Sequence, residues 1–180
     1  MPHELLQVLY FFLPAYVANM APVLVRDLCP SWAIPIDGGR TFRGTRVLGD
    51  HKTWRGLIAG TVAGVVVFAL QVAAYRAGIW TGVALVDYGA VGLVPGLLLG
   101  LGTGVGDAVK SFWKRQLGIA PGASWPGFDQ LDFMAGAYVA VALVYVPPLV
   151  PTLLALPIVF AGSVGTTSVG YAIGWKEAWI

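Results

Sequence analysis

Hydropathy divides the chain into five apolar blocks, residues 5–25, 57–77, 83–101, 133–150 and 152–175, separated by short polar stretches. Each block approaches or exceeds the roughly 17 to 25 residues that a helix needs to cross the hydrocarbon of a bilayer. The fourth begins among acidic residues and stops at Pro147, Pro148 and Pro151, which cannot continue a regular helix and predict a short turn into the fifth. Pro14, Pro22, Pro95, Pro157 and the glycines between 100 and 106 lie inside or beside these blocks, where neighbouring helices can satisfy the backbone. Gly96, Gly100 and Gly104 form a ladder of small residues four apart and predict a close helix contact. The pattern predicts an all-α integral membrane protein of five transmembrane helices. It forms one membrane domain over residues 1–180, with charged loops at about 26–56 and 104–132.

Composition agrees: 57% of residues are hydrophobic and 11% charged, a balance that soluble domains of this size do not normally show. The single cysteine, Cys29, excludes an intrachain disulfide and a cysteine-rich zinc site, and His3 and His51 stand far apart. A formal charge of +2 is too small to argue for nucleic acid. The first apolar block follows Met-Pro-His-Glu and is too long for the core of a cleaved signal, so no leader is expected. Basic residues near span ends are retained in the cytoplasm. Ten of the eleven Lys and Arg fall in the 26–55 loop, the 104–132 loop and the C-terminus, leaving Arg76 alone on the other side. The N-terminus is therefore expected outside and the C-terminus inside a cell membrane. Both charged loops then share the cytoplasmic face, where they can build one site open to nucleotides.

Residues 104–132 hold three Asp, two Lys and one Arg in a chain otherwise fit for lipid. Ionisable groups are expensive near lipid unless they face protein or water, which marks this island as a functional candidate against the plain alternative of a solvated loop. If helix continues past Gly106, then Asp107, Lys110, Ser111, Lys114 and Arg115 share one face. Cations with a hydroxyl suit phosphate, and a carboxylate beside them suits a hard divalent metal. Asp129 and Asp132 repeat the theme three apart at the start of the fourth block, as metal ligands or, for Asp129 above all, as a helix cap. In the first loop Asp37, Gly38 and Gly39 predict a turn with exposed backbone donors. Arg40, Arg43 and Arg46 recur every three residues, as do Lys52 and Arg55; they can bind phosphate, or can simply mark the cytoplasmic side. Asn19, polar at membrane depth, either lines a cavity or bonds a neighbouring helix.

Gly106, Asp107, Ser111, Lys114 and Arg115, followed by Asp129 and Asp132, resemble the signature of the CDP-diacylglycerol synthase superfamily. Three places depart from its bacterial and eukaryotic pattern. Pro126, Gly127 and Phe128 stand where that pattern has His-Gly-Gly, Gln130 where it has Arg, and Ala120 and Pro121 where it has Lys-Asp. The stretch from Pro35 to Gly56, P-I-D-G-G-R-T-F-R-G-T-R-V-L-G-D-H-K-T-W-R-G, is similar to the short archaeal branch of that superfamily, the CDP-archaeol synthases. The resemblance implies transfer of the cytidylyl group of CTP to an isoprenoid ether glycerol phosphate at the bilayer, with release of pyrophosphate and a requirement for Mg²⁺. It implies Asp107, Asp129 and Asp132 as metal ligands, with Lys110, Ser111, Lys114 and Arg115 near the triphosphate. Such catalysis is mostly positioning and charge stabilisation, and the lipid phosphate is its own nucleophile. Two other classes stand beside this reading. A CDP-alcohol phosphotransferase also uses Asp clusters, but its D-G-x-x-A-R pattern does not follow Asp37; a small transporter would carry internal repeats, and none is visible.

Overall fold

The structure, a computed structural model, describes residues 2–26, 28, 30–120, 123 and 125–172. Cys29, Pro121 and Lys176 lie outside the described residues, as does the end of the expected fifth span at 175. The described chain is mostly helical: α1 (Pro2–Phe11), α2 (Leu13–Leu24), α3 (Trp54–Arg76), α4 (Val94–Gln116), α5 (Phe128–Val141) and α6 (Leu149–Ala172). A two-stranded antiparallel hairpin in the first loop, β1 (Thr41–Phe42) and β2 (Thr45–Arg46), is the exception to an all-α description.

Proline accounts for where the helices differ from the apolar blocks. Pro14 has no N–H to donate, and the first block breaks at Phe12 into α1 and α2, bent by 40°. Pro95 stands in the first turn of α4, where its missing N–H costs nothing, and the third block is not helical from its start. Residues 84–93 run without regular helix, Gly92 takes a positive φ of 63°, and α4 begins at Val94 and continues unbroken to Gln116. That shift joins the charged residues from Asp107 to Arg115 to the same rigid rod as the apolar start. The helix α5 likewise begins earlier than the apolar block, at Phe128, so Asp129 and Asp132 stand in its first two turns. It ends at Val141; Tyr145 N–H bonds back to the Val141 carbonyl, and the Tyr138 hydroxyl donates to the carbonyl of Pro147 at 3.0 Å, closing the turn into α6.

By length and composition α3 and α6 can each cross a membrane, and α1 with α2 makes a third if the bent pair is one span. At 14 residues α5 rises only about 21 Å, less than the roughly 30 Å of a hydrocarbon core. The core between the rods is built from Val8, Phe11, Phe12, Phe68, Tyr88, Leu99, Met134 and Val141, all buried. Glycine brings α4 close to two neighbours at once. Gly96 and Gly100 lie against Phe68, Gly64 and Thr61 of α3, forming the contact that the small-residue ladder predicts. One face further round, Gly102 and Gly106 meet Gly136 of α5 backbone to backbone. With no side chain between them, the charged ends of α4 and α5 are held in fixed register.

Candidate active site

The first loop is folded by one carboxylate. Asp37, whose side chain is 1% exposed, accepts hydrogen bonds from the backbone N–H of Gly39, Leu48 and Gly49, each at 3.0 Å. Arg46 adds a pair of donors at 2.9 and 3.3 Å and reaches Asp50 at 2.8 Å. The Arg46 guanidinium, against the opposing pull of burial and with help from the three backbone donors, holds the Asp37 carboxyl far below the usual carboxylate range. The Gly38 N–H meanwhile donates to Pro35. The Asp37-Gly38-Gly39 turn, expected to leave its backbone donors exposed, spends them on the loop itself, and Arg46 is spent with them. The loop closes where Ile36 N–H donates to Lys52 O and Trp54 N–H to Ile34 O, and Thr53 then caps α3 through Gly56 N–H. This closure aims Lys52 at α4. The ring of Phe42 rests 5.8 Å from that of Phe112, fastening the hairpin to α4.

Lys52 and the second loop meet in a chain of alternating charge. Lys52 Nζ donates to Asp107 Oδ2. Lys110 Nζ lies 3.2 Å from Asp107 Oδ1, 3.0 Å from Asp129 Oδ1 and 2.9 Å from Asp132 Oδ2. Lys114 Nζ lies 3.2 Å from both Asp129 oxygens and also donates to the Ala123 carbonyl. Asp107 and Lys110 come from α4, Asp129 and Asp132 from α5, and the glycine crossing sets their separation. Burial pushes both Asp107 and Asp132 towards the protonated form, with different outcomes. For Asp107, Lys52 and Lys110 outweigh burial and hold it low; for Asp132, burial and the Asp107 charge outweigh Lys110 and push it up to about 6. Asp129 also accepts from Trp125 N–H; it stands inside the first turn of α5, whose N-cap is Gly127, so the helix-cap expectation for Asp129 is not met. Among the described residues no three His, Cys, Asp or Glu side chains form a group that could hold a metal ion; Lys110 lies among Asp107, Asp129 and Asp132.

Other predicted residues fall elsewhere. Ser111 is buried and bonds back to the Asp107 carbonyl at 2.8 Å, and Arg115 is buried and donates to the Ala120 carbonyl at 3.0 Å. Arg115 and Lys114 thus tie down the chain that follows α4. Arg40 and Arg43 are exposed, Arg43 over the Phe42 ring. Gln130, standing in the place of an Arg, caps α5 by accepting from Gly127 N–H at 2.7 Å.

A cavity of about 520 Å³ opens beside this cluster, walled by Asn19 and Pro22 of α2, His51 and Lys52 of the loop, Arg55 and Gly60 of α3, and Thr103 and Asp107 of α4. Asp107 is its link to the charge chain. Arg26 and Asp50 line it as well, and sequence reasoning singled out neither these two nor His51 and Thr103. Their signal was adjacency to Lys52 or to a span end, with no spacing of its own. A second, apolar groove of about 260 Å³ runs between Leu9, Tyr16, Met20, Phe133, Ile158 and Val159. Asn19 lines both spaces.

Helices fit for lipid, with a cluster of cations and carboxylates between their ends and beside it a roomy cavity of mixed charged and apolar lining, define a membrane protein built to handle a charged ligand at the bilayer. The comparisons say which one. The model of the CarS-like family of CDP-archaeol synthases matches residues 1–180. A CDP-archaeol synthase of Halorubrum lacusprofundi is 42% identical over 93% of each chain, and one of Pyrococcus furiosus is 34% identical over 97% of this chain and 98% of its own. A solved structure described as an intramembrane enzyme for archaeal membrane lipids biosynthesis superposes with a TM-score of 0.66 at 33% identity, covering 87% of this chain and 90% of that one. The chain belongs to the CarS-like CDP-archaeol synthase family.

Proposed function

We propose that the protein transfers the cytidylyl group of CTP to the phosphate of an isoprenoid ether glycerol phosphate, releasing pyrophosphate and forming an unsaturated CDP-archaeol. The observation that carries this reading is the meeting of Lys52, Asp107, Lys110, Asp129, Asp132 and Lys114 beside a cavity of about 520 Å³ in a chain of this family. A phosphate oxygen of the lipid attacks the α-phosphorus, and the bond from that phosphorus to the bridging oxygen breaks. No protein nucleophile is needed. The chain's task is to hold two anionic partners in line and to balance their charge.

Lys52 and Arg55, on the cavity wall, are placed to hold the phosphates, with Arg26 and His51 at the same wall. Asp107, Asp129 and Asp132 offer the carboxylate oxygens that a hard divalent cation takes, and each lies within 3.2 Å of Lys110 Nζ, so these are the residues that would hold it. Bound there, Mg²⁺ would neutralise charge on the triphosphate. Lys114 and Arg115 act through the loop they fasten. The apolar groove is placed for an isoprenoid chain, with Asn19 at its junction with the polar cavity, where the glycerol would pass.

Five spans are the topology we propose, with α1 and α2 as one bent span, and the apolar half of α4 and residues 133–150, which follow Asp132, completing the set. The distribution of basic residues supports a cytoplasmic site with the N-terminus outside. Thin-layer analysis with labelled CTP and an archaeal lipid phosphate tests the activity. A CDP-lipid supports it, whereas label that stays water-soluble in the presence of all substrates counts against it and reopens the phosphotransferase and transporter readings.

A further inference from the structure

We propose that the hairpin of β1 and β2 is a lipid anchor: Arg40 and Arg43 grip the phosphates of anionic membrane lipids at the cytoplasmic face, and the ring of Phe42 seats in the boundary beneath them. These are the first-loop groups that the candidate active site leaves over. Arg46 is bonded to Asp37, and Lys52 and Arg55 line the cavity. Arg40 and Arg43 are exposed and lie outside that lining, and among the described residues neither has a carboxylate partner.

The turn holds Arg43 in a conformation that does not suit it. Phe42 pairs with Thr45, so Arg43 and Gly44 alone connect the strands, with φ of 52° and 80°. A two-residue turn with both φ positive favours Asn-Gly or Gly-Gly, and a long side chain at its first position is strained. Nothing within the fold explains the choice. The Arg43 guanidinium lies 5.4 Å from the centre of the Phe42 ring, itself half exposed, and a cation over an exposed ring is weakly held. A strained, exposed cation at a hairpin tip is a residue kept for what it meets outside the fold.

The level of the hairpin says what it meets. Trp54 opens α3 and Trp113 stands in the last turn of α4, both half exposed, and tryptophans in such places mark the boundary between membrane and water. Val105, Val109 and Trp113, on successive turns, carry an exposed apolar stripe up to that boundary, while Asp107 and Lys110 pair on another face. The Phe42 ring rests on that of Phe112, which in turn meets Trp113. Phe112 lies about 27 Å along the rod from Val94, close to the roughly 30 Å of a hydrocarbon core. The hairpin therefore stands beside the headgroups. A soluble anion would satisfy the two guanidinium groups and leave the phenyl ring in water; a lipid phosphate, with its chains below, satisfies both. Guanidinium groups bind phosphate through paired hydrogen bonds, and an anionic surface adds long-range attraction.

The test uses the full chain in nanodiscs, with Thr41→Cys in a Cys29→Ser background carrying a bimane dye. The quenchers are trace phosphatidylglycerol and trace phosphatidylcholine, each bearing a headgroup nitroxide, in a phosphatidylcholine bilayer. With both arginines present, quenching should favour phosphatidylglycerol several-fold, by up to about fivefold for each arginine, and the preference should fall as salt is raised. Arg40→Gln with Arg43→Asn should bring the preference to about one; Asn suits the turn, so the hairpin is kept. Equal quenching by the two lipids with both arginines present overturns the proposal, as does a preference that the double variant retains. Loss of the preference on adding CTP at constant ionic strength would give the arginines to a soluble nucleotide and overturns it too. If the double variant fails to fold, the salt series decides: a preference unmoved by salt overturns the anchor. No turnover is read, so the anchor and the cytidylyltransferase reading stand or fall apart.

Discussion

The crossing of α4 and α5 is the structural joint on which the site depends, and Gly136→Ala probes it with one methyl group. A Cβ at Gly136 would stand 2.7 Å from Gly106 Cα and 2.8 Å from Gly106 N, and closer still to the Gly102 carbonyl oxygen. All three are backbone atoms, so no side chain can turn aside. Ordinary contact begins at 3.4 Å, so the helices must part by roughly 1 Å. Overpacking of this kind costs about 1 to 3 kcal/mol in stability. The functional cost is larger. Lys110 on α4 lies 3.0 and 2.9 Å from Asp129 and Asp132 on α5, and a shift of that size stretches both contacts and moves Asp107 away from the two α5 carboxylates. A misplacement of about 1 Å can cost roughly 100-fold in rate. Gly136→Ala should therefore purify as folded protein with a lowered melting temperature and about 100-fold lower turnover in a CDP-lipid assay. Gly162→Ala is a fitting control, because a Cβ there meets nothing within 4 Å. Wild-type turnover in Gly136→Ala would refute the idea that this crossing sets the site.

Asp107→Asn, Asp129→Asn and Asp132→Asn should each lower turnover by orders of magnitude in folded protein, whereas Asp37→Asn should make the 35–53 loop protease-sensitive, because its cost is lost loop structure. Because the Asp132 carboxyl is pushed up to about 6, proton and cation compete for it, and divalent-cation affinity in a titration should fall by about tenfold per pH unit below that point while staying flat above it. Affinity unchanged from pH 7 to pH 5 would remove Asp132 from the ligand set. In a Cys29→Ser background, Arg43→Cys should react with an impermeant maleimide only from the cytoplasmic side and Ala77→Cys only from outside; the reverse pattern would invert the topology. Discrimination by an apolar groove is non-directional, a methylene being worth roughly 1 to 3 kcal/mol, so kcat/KM should favour a geranylgeranyl ether phosphate over a straight-chain phosphatidate, with leakage among isoprenoid lengths.

Much of the helical architecture was legible because lipid-fit runs of apolar residues leave a strong pattern, but their ends were not. Pro14 and Pro95 each moved a boundary, since a proline inside an apolar run reads the same to hydropathy whether it kinks a helix or starts one. The spacing of Asp107, Lys110, Asp129 and Asp132 foretold their convergence, because one helical face and one helix start suffice to bring them together. Ser111 and Arg115 sit at the edge of that face, and a small rotation turns them into the protein. Asp37 was harder. An Asp-Gly-Gly turn can aim its donors outward or fold them onto its own carboxylate, and only the return of Leu48, Gly49 and Arg46 decides it. Arg26 and His51 reach the cavity through chain folding alone, which leaves no periodic trace.

The most direct measurement follows the phosphorus atoms. Purified protein in detergent, with an isoprenoid ether glycerol phosphate, Mg²⁺ and CTP labelled at either the α- or the γ-phosphate, should move α-label into the organic phase and leave γ-label in water as pyrophosphate. Entry of γ-label into the lipid, or no lipid label from either nucleotide, would contradict cytidylyl transfer.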